Sequence, residues 1–425
     1  MKYQKITALS VLSVFLISGC SQDEKLPGRR EILFKNTEIQ TAIDKTPVIV
    51  ETTVNYRDFS QPYLNSSHTY APLAFSLNPK QIWSFGLDYE ANKVLQNTAS
   101  PLVAEGKVFG IDAAGIVYAL DKKTGKRLWR VSTNIIEKDG QIGCAMAYYN
   151  GRLLVSSSYS EMFSLDAKTG KILWRIKLPA LCKGDGITIA NGQAFVACSN
   201  SSMNAIDIDT GKILWTHSGM VSDSIFIGSA GACFDNGVLY AAYPSGEIFA
   251  LHAENGSVLW DSMISKFSLT DMARSRTHIR ACPVIKDGRL YVVSSAGQTV
   301  ALDPETGLQI WSSDFGGLQT PIVSGNSVFV QSFNAELVCL NKDTGALRWK
   351  TVLSNEKNPM EDWYGQLLIK DHILSISAEG EMTLVSVTDG KIKKRVKLSD
   401  KISVNPVIAD ETMYLLTDSN ICAYR

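Results

Sequence analysis

Residues that could carry out catalysis are present in this chain of 425 residues, but their spacing does not group them. No histidine lies in an H-E-x-x-H pattern, and no serine lies in a nucleophile elbow. The segment Asp207-Ile208-Asp209 begins like a calcium loop, but its twelfth position is Ser218, where calcium needs a glutamate. The five histidines are His68, His217, His252, His278 and His372. The sequence therefore predicts no catalytic residue, no metal site and no cofactor.

Cysteine chemistry is the next possibility. Seven cysteines follow Cys20, and because seven is odd they cannot all pair within the chain. No two are adjacent and none forms a C-x-x-C pair, while most lie in apolar runs such as Val338-Cys339-Leu340. In such runs cysteine behaves as a small hydrophobic residue. We expect mostly buried thiols, with disulfides as the alternative that the compartment permits.

Cys20 itself lies in a different context. Lys2 and Lys5 precede an apolar stretch, residues 6–17, which is too short to span a membrane but is typical of a signal peptide. The stretch ends in Leu16-Ile17-Ser18-Gly19-Cys20, which resembles the bacterial lipobox, and Ser21 stands where an inner-membrane lipoprotein has aspartate. We therefore predict a signal peptide over 1–19, lipidation of Cys20, and an anchor on the periplasmic face of the outer membrane. An ordinary secretory signal is the alternative.

Two loops, one apolar and one basic, together have the composition of a surface that binds another protein. The first, residues 220–230, contains Ile225, Phe226 and Gly228. The second, residues 271–280, carries four basic or potentially basic residues. These are Arg274, Arg276, His278 and Arg280. A solvated charged loop is the alternative, but we expect an apolar centre with a basic rim that binds a partner.

The elements that must position these loops come from a repeat. The segment Leu165–Trp174, LDAKTGKILW, has five further copies in which tryptophan follows glycine by four residues, at intervals of 38 to 51 residues. Two apolar runs precede each copy, and turn pairs such as Asn150-Gly151 lie between β-rich runs. Four strands in about 43 residues is the size of a propeller blade.

Counting these anchors predicts eight blades. Trp83 is an anchor without a blade in front of it, and the C-terminal residues 402–424 supply three strands without a fourth. We therefore predict an all-β fold, an eight-bladed β-propeller of four-stranded antiparallel blades over 81–425, whose last blade is closed by the N-terminal strand. Residues 20–80 are predicted to be a lipidated tether and linker that later lies over the propeller surface. Both loops precede the first strand of a blade, so we expect them to be neighbours.

The repeated tryptophans are predicted to be structural. An indole buries roughly 150–250 Å² and keeps an N–H that can bond to a neighbouring backbone. A further copy has Lys394 at the anchor position, so its blade is expected to pack less tightly. The predicted anchors are Trp83, Trp129, Trp174, Trp215, Trp260, Trp311 and Trp349.

The overall charge is balanced. Lys plus Arg and Asp plus Glu each number 42, so no net field attracts the chain to nucleic acid. No run of 18 or more apolar residues occurs, so the chain is not predicted to cross a membrane.

The D-x-x-T-G-x-x-x-W repeats resemble those of the pyrroloquinoline-quinone-type propellers. Together with the lipobox and eight blades, the chain resembles the BamB family of outer-membrane protein assembly factors. The run Asp58–Pro62, the pair Ser67-His68 and the run Leu26–Gly28 resemble the N-terminal region of alphaproteobacterial members.

The resemblance implies a non-enzymatic scaffold, monomeric within a complex. It would bind the periplasmic domains of the central β-barrel assembly subunit and assist insertion of outer-membrane proteins, with nascent chains as further partners and the lipid on Cys20 in the inner leaflet of the outer membrane. The family's partner loops fall on Ser224–Gly228 and Thr277–Arg280. Here Ile227 replaces an arginine, and His278 and Arg280 replace acidic residues.

Two other functions share the predicted fold. A quinone-dependent dehydrogenase would carry an adjacent cysteine pair over its cofactor, and this chain has none. A periplasmic propeller that binds peptide or glycan is the other alternative.

Overall fold

The computed structural model describes residues 43–92, 97–133, 144–157, 159–182, 184–221, 230–264, 279–332, 334–354 and 362–425. These residues form 32 β-strands. The first half comprises β1 (Gln81–Gly86), β2 (Leu102–Ala104), β3 (Lys107–Ile111), β4 (Ile116–Asp121), β5 (Arg127–Ser132), β6 (Met146–Tyr149), β7 (Arg152–Ser156), β8 (Glu161–Asp166), β9 (Ile172–Lys177), β10 (Ile187–Ala190), β11 (Gln193–Cys198), β12 (Ser202–Asp207), β13 (Ile213–Ser218), β14 (Cys233–Asp235), β15 (Val238–Ala242) and β16 (Glu247–His252). The second half comprises β17 (Val258–Met263), β18 (Val284–Lys286), β19 (Arg289–Ser294), β20 (Gln298–Leu302), β21 (Gln309–Ser313), β22 (Ile322–Ser324), β23 (Ser327–Gln331), β24 (Glu336–Asn341), β25 (Leu347–Val352), β26 (Trp363–Ile369), β27 (His372–Ser377), β28 (Glu381–Ser386), β29 (Ile392–Lys397), β30 (Val407–Ala409), β31 (Thr412–Leu416) and β32 (Asn420–Tyr424).

The strands form eight four-stranded sheets, the blades of a β-propeller. Blades 1 to 7 are successive antiparallel meanders that begin at β2, β6, β10, β14, β18, β22 and β26. Blade 8 has the order β1-β32-β31-β30, in which β1 pairs with β32 through a register that sets Trp83 opposite Ala423. Both the predicted blade number and the predicted closure by the N-terminal strand are confirmed.

The blades surround a central channel. The first strands of blades 1 to 7 lie beside one another in order, so they line the channel and the fourth strands form the outer edge. Because neighbouring strands alternate in direction, the hairpins between strands one and two and between strands three and four lie at one end, here called the hairpin face. The connections from blade to blade lie at the other end, here called the connection face.

The outer hairpins of blades 1, 2, 3 and 5 depend on an aspartate and a glycine. In blade 2 the Asp166 Oδ1 atom accepts hydrogen bonds from the Thr169 backbone amide and hydroxyl, both at 2.7 Å. These bonds lower the pKa of the Asp166 carboxyl, the hydroxyl bond most of all. Gly170 closes the turn at φ +75°, a left-handed conformation that other residues rarely adopt.

Each predicted tryptophan anchor bonds to the following blade. In all seven cases the indole Nε1–H donates to a backbone carbonyl in the outer hairpin of that blade, at 2.8 to 3.1 Å. The pairs are Trp83–Lys122, Trp129–Ala167, Trp174–Ile208, Trp215–Ala253, Trp260–Pro304, Trp311–Lys342 and Trp349–Val387. The repeated aromatics are therefore inter-blade contacts, as the sequence predicted.

The glycine of the next hairpin completes this contact. A Cβ atom added to Gly170 would lie 2.8 Å from the Trp129 ring, and one added to Gly345 would lie 2.5 Å from the Trp311 ring. Because no side chain fits in that space, the glycine is required both by its positive φ and by the indole above it. The constant spacing from glycine to tryptophan thus links two contacts of the same blade. Its glycine packs against the indole of the preceding blade, and its tryptophan packs against the glycine of the following blade.

The interface between blades 7 and 8 is built differently. Lys394 occupies the anchor position, and its Nζ donates to the Leu77 carbonyl at 3.0 Å and to the Asn78 Oδ1 atom at 2.6 Å. The reason is topological: blade 8 has no hairpin between its third and fourth strands, because these are β32 and β1 from opposite ends of the chain. An ammonium group can reach the chain segment that stands in place of the missing hairpin.

The seven cysteines after Cys20 are buried thiols, as expected. Burial raises the pKa values of six of them, Cys182, Cys198, Cys233, Cys282, Cys339 and Cys422, for Cys198 to about 11 and for Cys339 to about 12. Such thiols are protonated and unreactive at neutral pH. Over the described residues, no helix has the length and apolar character needed to cross a membrane.

Candidate functional site

The segment 43–80 is built into the propeller more deeply than the predicted surface tether. It begins at the outer edge of blade 6, where the Asp44 carboxylate accepts bonds from Asn341 Nδ2 at 2.6 Å and from Arg348 Nε at 3.2 Å. These bonds lower the pKa of the Asp44 carboxyl well below its usual range, with the Asn341 bond contributing most. Arg348 is itself buried and also bonds to Thr46. The segment is therefore fixed to blade 6 before it crosses the hairpin face.

The same segment then enters the channel and bonds to its walls. Phe59 pairs with Val103 of blade 1. The carbonyl of Ser60 accepts the amide of Tyr148 in blade 2 at 2.7 Å. Backbone or side-chain bonds follow to the first strands of blades 3, 4, 5 and 7, through Gln61, Ser66, Ser67 and Leu73 respectively. Further bonds reach Asn326 of blade 6 and Asp410 of blade 8, so one segment joins all eight blades.

The tip of the segment lies deepest in the channel. The Tyr63 hydroxyl donates to Asp185 Oδ2 at 2.7 Å. His68 is buried, with Nδ1 2.8 Å from the Pro283 carbonyl and Nε2 3.3 Å from the Thr188 hydroxyl. Tyr63 and His68 have φ values of 55° and 59°, and their rings meet edge to face at 5.4 Å. This tight turn keeps its left-handed backbone because the surrounding contacts fix it.

Burial sets the protonation states at the tip. It lowers the pKa of His68 to about 4, so the ring is neutral at physiological pH. Since a carbonyl can only accept, Nδ1–H donates to Pro283 and Nε2 accepts from Thr188. Burial also raises the pKa of the Asp185 carboxyl, although the hydrogen bond from Tyr63 opposes this. The tip is thus held by the neutral ring of His68 and by the hydrogen bond between Tyr63 and Asp185.

The connection-face end of the channel has a different lining. Arg280, Gln319 and Tyr364 border a cavity there, together with Asp185. The positive charge of Arg280 acts to lower the pKa of Asp185, against the larger effect of burial. A cationic side chain therefore faces an otherwise mostly neutral channel mouth.

The two predicted partner loops leave the propeller close to one another. Gly231 follows the first loop and Cys282 follows the second, and the Gly231 amide donates to the Cys282 Sγ atom at 3.1 Å. Before the first loop, Met220 and Val221 are 52% and 83% exposed, which is unusual for apolar side chains. The described ends of both loops thus lie on the connection face, with exposed apolar side chains beside one of them.

A family model for the outer membrane protein assembly factor BamB matches residues 76–139 and 113–351. This match covers most of the propeller. The chain belongs to the BamB family.

Three curated relatives align over most of their lengths. BamB of Escherichia coli K12 is 26% identical over 420 residues, with 96% of each chain covered. BamB of Xanthomonas campestris is 27% identical over 358 residues, covering 82% of this chain and 86% of that protein. An uncharacterised protein of Rickettsia conorii is 24% identical over 377 residues, covering 83% and 90%. The family assignment therefore extends to the full domain and to an alphaproteobacterial relative.

Solved structures agree on the fold. BamB from Moraxella catarrhalis superposes with a TM-score of 0.70 at 18% identity, covering 82% of this chain and 100% of that one. A europium-containing methanol dehydrogenase reaches 0.66 at 15% identity, covering 84% and 89%. At these identities the likeness concerns architecture alone.

The quinone enzymes raise the question of whether the channel of this family member suits a metal-held cofactor. Among the residues that the structure describes, no three His, Cys, Asp or Glu side chains are placed to hold a metal ion. On the hairpin side, the buried Phe59 and His68 of the chain's own segment lie within the channel. The described channel residues therefore do not fit a calcium-held quinone.

Most of the predicted binding residues lie outside the described residues. These are Cys20, Ile225, Phe226, Gly228, Arg274, Arg276 and His278. Arg280 is described, and it lies at the channel mouth, half-buried, where the sequence suggested an outer basic rim. The predicted role of these residues in partner binding stays a prediction.

The contacts of the segment 43–80 were not predicted from the sequence. The runs 58–62 and 67–68 were noticed only as a family resemblance, which does not reveal that Gln61 and His68 bond to the channel wall. Trp363 offered a weaker signal, because it is the one tryptophan that the repeat does not explain: like Trp83 it has no glycine four residues before it, and unlike Trp83 it is not an anchor. It is buried at the start of β26, with the Arg395 guanidinium 6.0 Å from its ring centre.

Proposed function

We propose that this chain is a non-enzymatic scaffold lipoprotein of the outer-membrane β-barrel assembly machinery. It binds the periplasmic domains of the central barrel subunit and aids insertion of outer-membrane proteins, nascent chains included. The observation that carries the proposal is family membership: the relatives named as outer membrane protein assembly factors align over 96% of both chains. The rigid ring of inter-blade contacts supports it, since a scaffold must hold its loops in fixed relative positions.

The proposed anchor is lipid on Cys20. Residues 1–19 act as the signal peptide, and residues 20–80 lead from the lipid to the propeller of 81–425, placing the protein on the periplasmic face of the outer membrane. Stable anchoring takes more than one acyl chain, which a lipidated cysteine supplies. Labelling cells with palmitate tests this: wild type takes up label and fractionates with outer membranes, and Cys20→Ala does not. The matched variant Ser21→Asp keeps the label but moves to inner membranes.

The proposed partner surface is the connection face around the loops 220–230 and 271–280. The contact between Gly231 and Cys282 supports it, because it brings the ends of both loops together. Ile225, Phe226 and Gly228 would form the apolar centre, and Arg274, Arg276, His278 and Arg280 the basic rim. Apolar anchors supply most of the affinity of such interfaces, and charge supplies orientation and association rate.

Surface plasmon resonance with the purified periplasmic domains of the barrel subunit tests this surface. Phe226→Ala is expected to speed dissociation, and Arg276→Glu or Arg280→Glu to slow association and reverse its salt dependence. The control variant changes Lys123, Lys168 and Lys212 to glutamate, since these exposed residues lie on the hairpin face. A quadruple substitution of Phe226, Arg274, Arg276 and Arg280 that leaves the affinity of a folded protein unchanged would remove this surface from consideration.

The alternative of a quinone-dependent dehydrogenase has its own test, prompted by the fold it shares with methanol dehydrogenase. After incubation with pyrroloquinoline quinone and calcium, the desalted protein should show no cofactor absorbance and no alcohol-dependent dye reduction. Stoichiometric retention with turnover would support the enzyme.

A further inference from the structure

The first residues that the structure describes lie at the outer edge of blade 6. The Asp44 amide donates to the Leu347 carbonyl of β25 at 2.8 Å, and its carboxylate is held by Arg348. Asp44 is 24 residues after Cys20, so a lipid on that cysteine lies within about 80 Å of this edge. The edges of blade 6 and of its neighbours are therefore within reach of a membrane that holds such a tether.

The outer strand of the neighbouring blade 7 departs from the repeat. In six blades the residue before the anchor tryptophan is aliphatic and 41% to 51% exposed. These residues are Ile82, Leu128, Leu173, Leu214, Leu259 and Ile310. In blade 7 that position is Lys393, the anchor position is Lys394, and the whole outer run reads KIKKRVK from Lys391 to Lys397.

Structural roles account for only part of this positive charge. Lys394 bonds to Leu77 and Asn78, and Arg395 is paired with Glu381 at 2.9 Å. Lys391 and Lys393 share a single carboxylate, Asp389, with both distances 3.6 Å. Lys397 is exposed, and its ammonium donates to the Glu379 carbonyl, which removes no charge. The exposed lysines of β29 and its hairpin thus carry more charge than the blade neutralises.

We propose that the outer edge of blade 7, through Lys391, Lys393 and Lys397, docks onto an anionic phospholipid surface. The inference rests on the proposed lipid anchor, which brings this edge to the membrane. An extended edge strand presents its cations in a row, with the exposed Ile392 between two of them, and lysine stems can lie along an apolar boundary while their ammonium groups stay with the lipid headgroups. An extended row of cations matches the flat, continuous charge of a lipid surface better than it matches a pocket in another protein.

Docking at this edge would also set the direction of the partner loops. In a ring of eight blades, blade 3 is opposite blade 7. The loops 220–230 and 271–280 flank blade 4, on the side of the ring away from blade 7. The basic edge would therefore face the membrane while the proposed partner surface extends toward the periplasm.

Vesicle sedimentation tests the docking surface without the lipid anchor. The chain from Ser21 to Arg425, which keeps every described residue, is mixed with phosphatidylcholine vesicles that contain about one-third phosphatidylglycerol. Each lysine at an anionic surface strengthens binding about fivefold, so the triple variant Lys391→Gln, Lys393→Gln, Lys397→Gln should bind roughly a hundredfold more weakly. Binding of the unchanged chain should fall as salt is raised and disappear on pure phosphatidylcholine.

The matched control removes Lys168, Lys171 and Lys177 from the hairpin and outer strand of blade 2, across the ring. It makes the same change in net charge, with Lys171 and Lys177 at the positions that correspond to Lys391 and Lys397, and its binding should stay within about twofold of the unchanged chain. Equal losses in both triple variants, or no binding to anionic vesicles by the unchanged chain, would overturn the proposal. Loss of barrel-subunit binding by the blade 7 variant, with vesicle binding intact, would instead assign this edge to a protein partner. Failure of palmitate labelling at Cys20 would disprove the anchor without changing the vesicle result.

Discussion

Seven of the eight blade interfaces are joined by an indole over a glycine, and the eighth is joined by an ammonium group. At the interface of blades 6 and 7, Trp349 donates to Val387 at 2.8 Å and covers Gly390. At the interface of blades 7 and 8, Lys394 donates to Leu77 and Asn78. The difference shows that the anchor residue depends on the hairpin it faces: where chain closure removes that hairpin, a long cation bonds to the segment that replaces it.

Closure also concentrates the dependence of the ring on one short segment. β1 supplies the fourth strand of blade 8 and Trp83, while residues 43–80 bond to every blade. The other blades are contiguous in sequence, so each could form its own sheet before docking. Blade 8 forms only when both chain ends meet.

Deleting residues 81–86 should have the largest effect. The deletion removes the Trp83 contact, for which truncation of a buried tryptophan costs about 3–5 kcal/mol, and it also exposes the edge of β32. We expect a loss above about 5 kcal/mol in the free energy of unfolding, measured by denaturant titration. Deletion of residues 30–40 is the control, and equal midpoints for the two deletions would disprove the closure role of β1.

Trp349→Ala should rank second and Lys394→Ala well below it. The indole loses ring packing on Gly390 and one hydrogen bond, which costs about 3–5 kcal/mol. The half-exposed lysine loses bonds worth about 1 kcal/mol, because solvent screens its charge. Thermal unfolding of the two variants measures the contrast, and equal shifts in Tm would remove the distinction between the interfaces.

Acid should weaken the attachment of the segment through His68. Its pKa is lowered to about 4 from an ordinary value of 6.5. Above pH 6.5 both states are neutral and no effect is expected. Between pH 6.5 and 4 the unfolded chain takes up a proton and the folded chain does not, so stability falls with pH, by up to about 3 kcal/mol.

The variant His68→Asn isolates this effect, since asparagine tolerates a positive φ and does not titrate. Its free energy of unfolding, compared with that of the unchanged chain from pH 7 to pH 4, should show the smaller decline. Parallel declines would show that other groups cause the acid sensitivity.

Lys394→Trp should have the smallest effect, and an unfavourable one. The sequence predicted that the blade with Lys394 packs less tightly, and on that basis a tryptophan at this position would stabilise the blade. The structure predicts otherwise, because no hairpin carbonyl faces this position and the bonds to Leu77 and Asn78 would be lost. We expect a loss of about 1 kcal/mol, and a rise in Tm would show that an indole packs there without its hairpin.

The blades could be predicted from the sequence because their determinants are local and repeated. Asp166, Thr169 and Gly170 set a hairpin through contacts within five residues; the same three residue types recur in blades 1, 3 and 5, and the glycine recurs in each of blades 1 to 7. Trp174 then identifies the fourth strand. The first strand of blade 8 was predicted to begin near residue 402 but begins at Val407, directly after Asn405-Pro406, a turn signal that marks the boundary.

The segment 43–80 could not be predicted in this way. It has no repeat, and its partners are hundreds of residues away in sequence, as for Asp44 with Arg348 or Tyr63 with Asp185. Arg280 shows the same limit: the sequence predicted it in the basic rim of a partner surface, whereas it borders a cavity at the channel mouth together with residues from several blades. Such contacts exist only once the eight blades have assembled into a ring, so the pattern of neighbouring residues in the sequence does not reveal them.

In-cell photo-crosslinking tests the scaffold role most directly. A photoreactive amino acid replaces Phe226 on the proposed partner surface or Lys168 on the hairpin face, and adducts are probed for the central barrel-assembly subunit. The scaffold role predicts an adduct from position 226 and none from position 168. An adduct from position 168 alone would move the partner surface to the hairpin face, and no adduct from either position, in a protein that is folded and membrane-bound, would contradict the scaffold role.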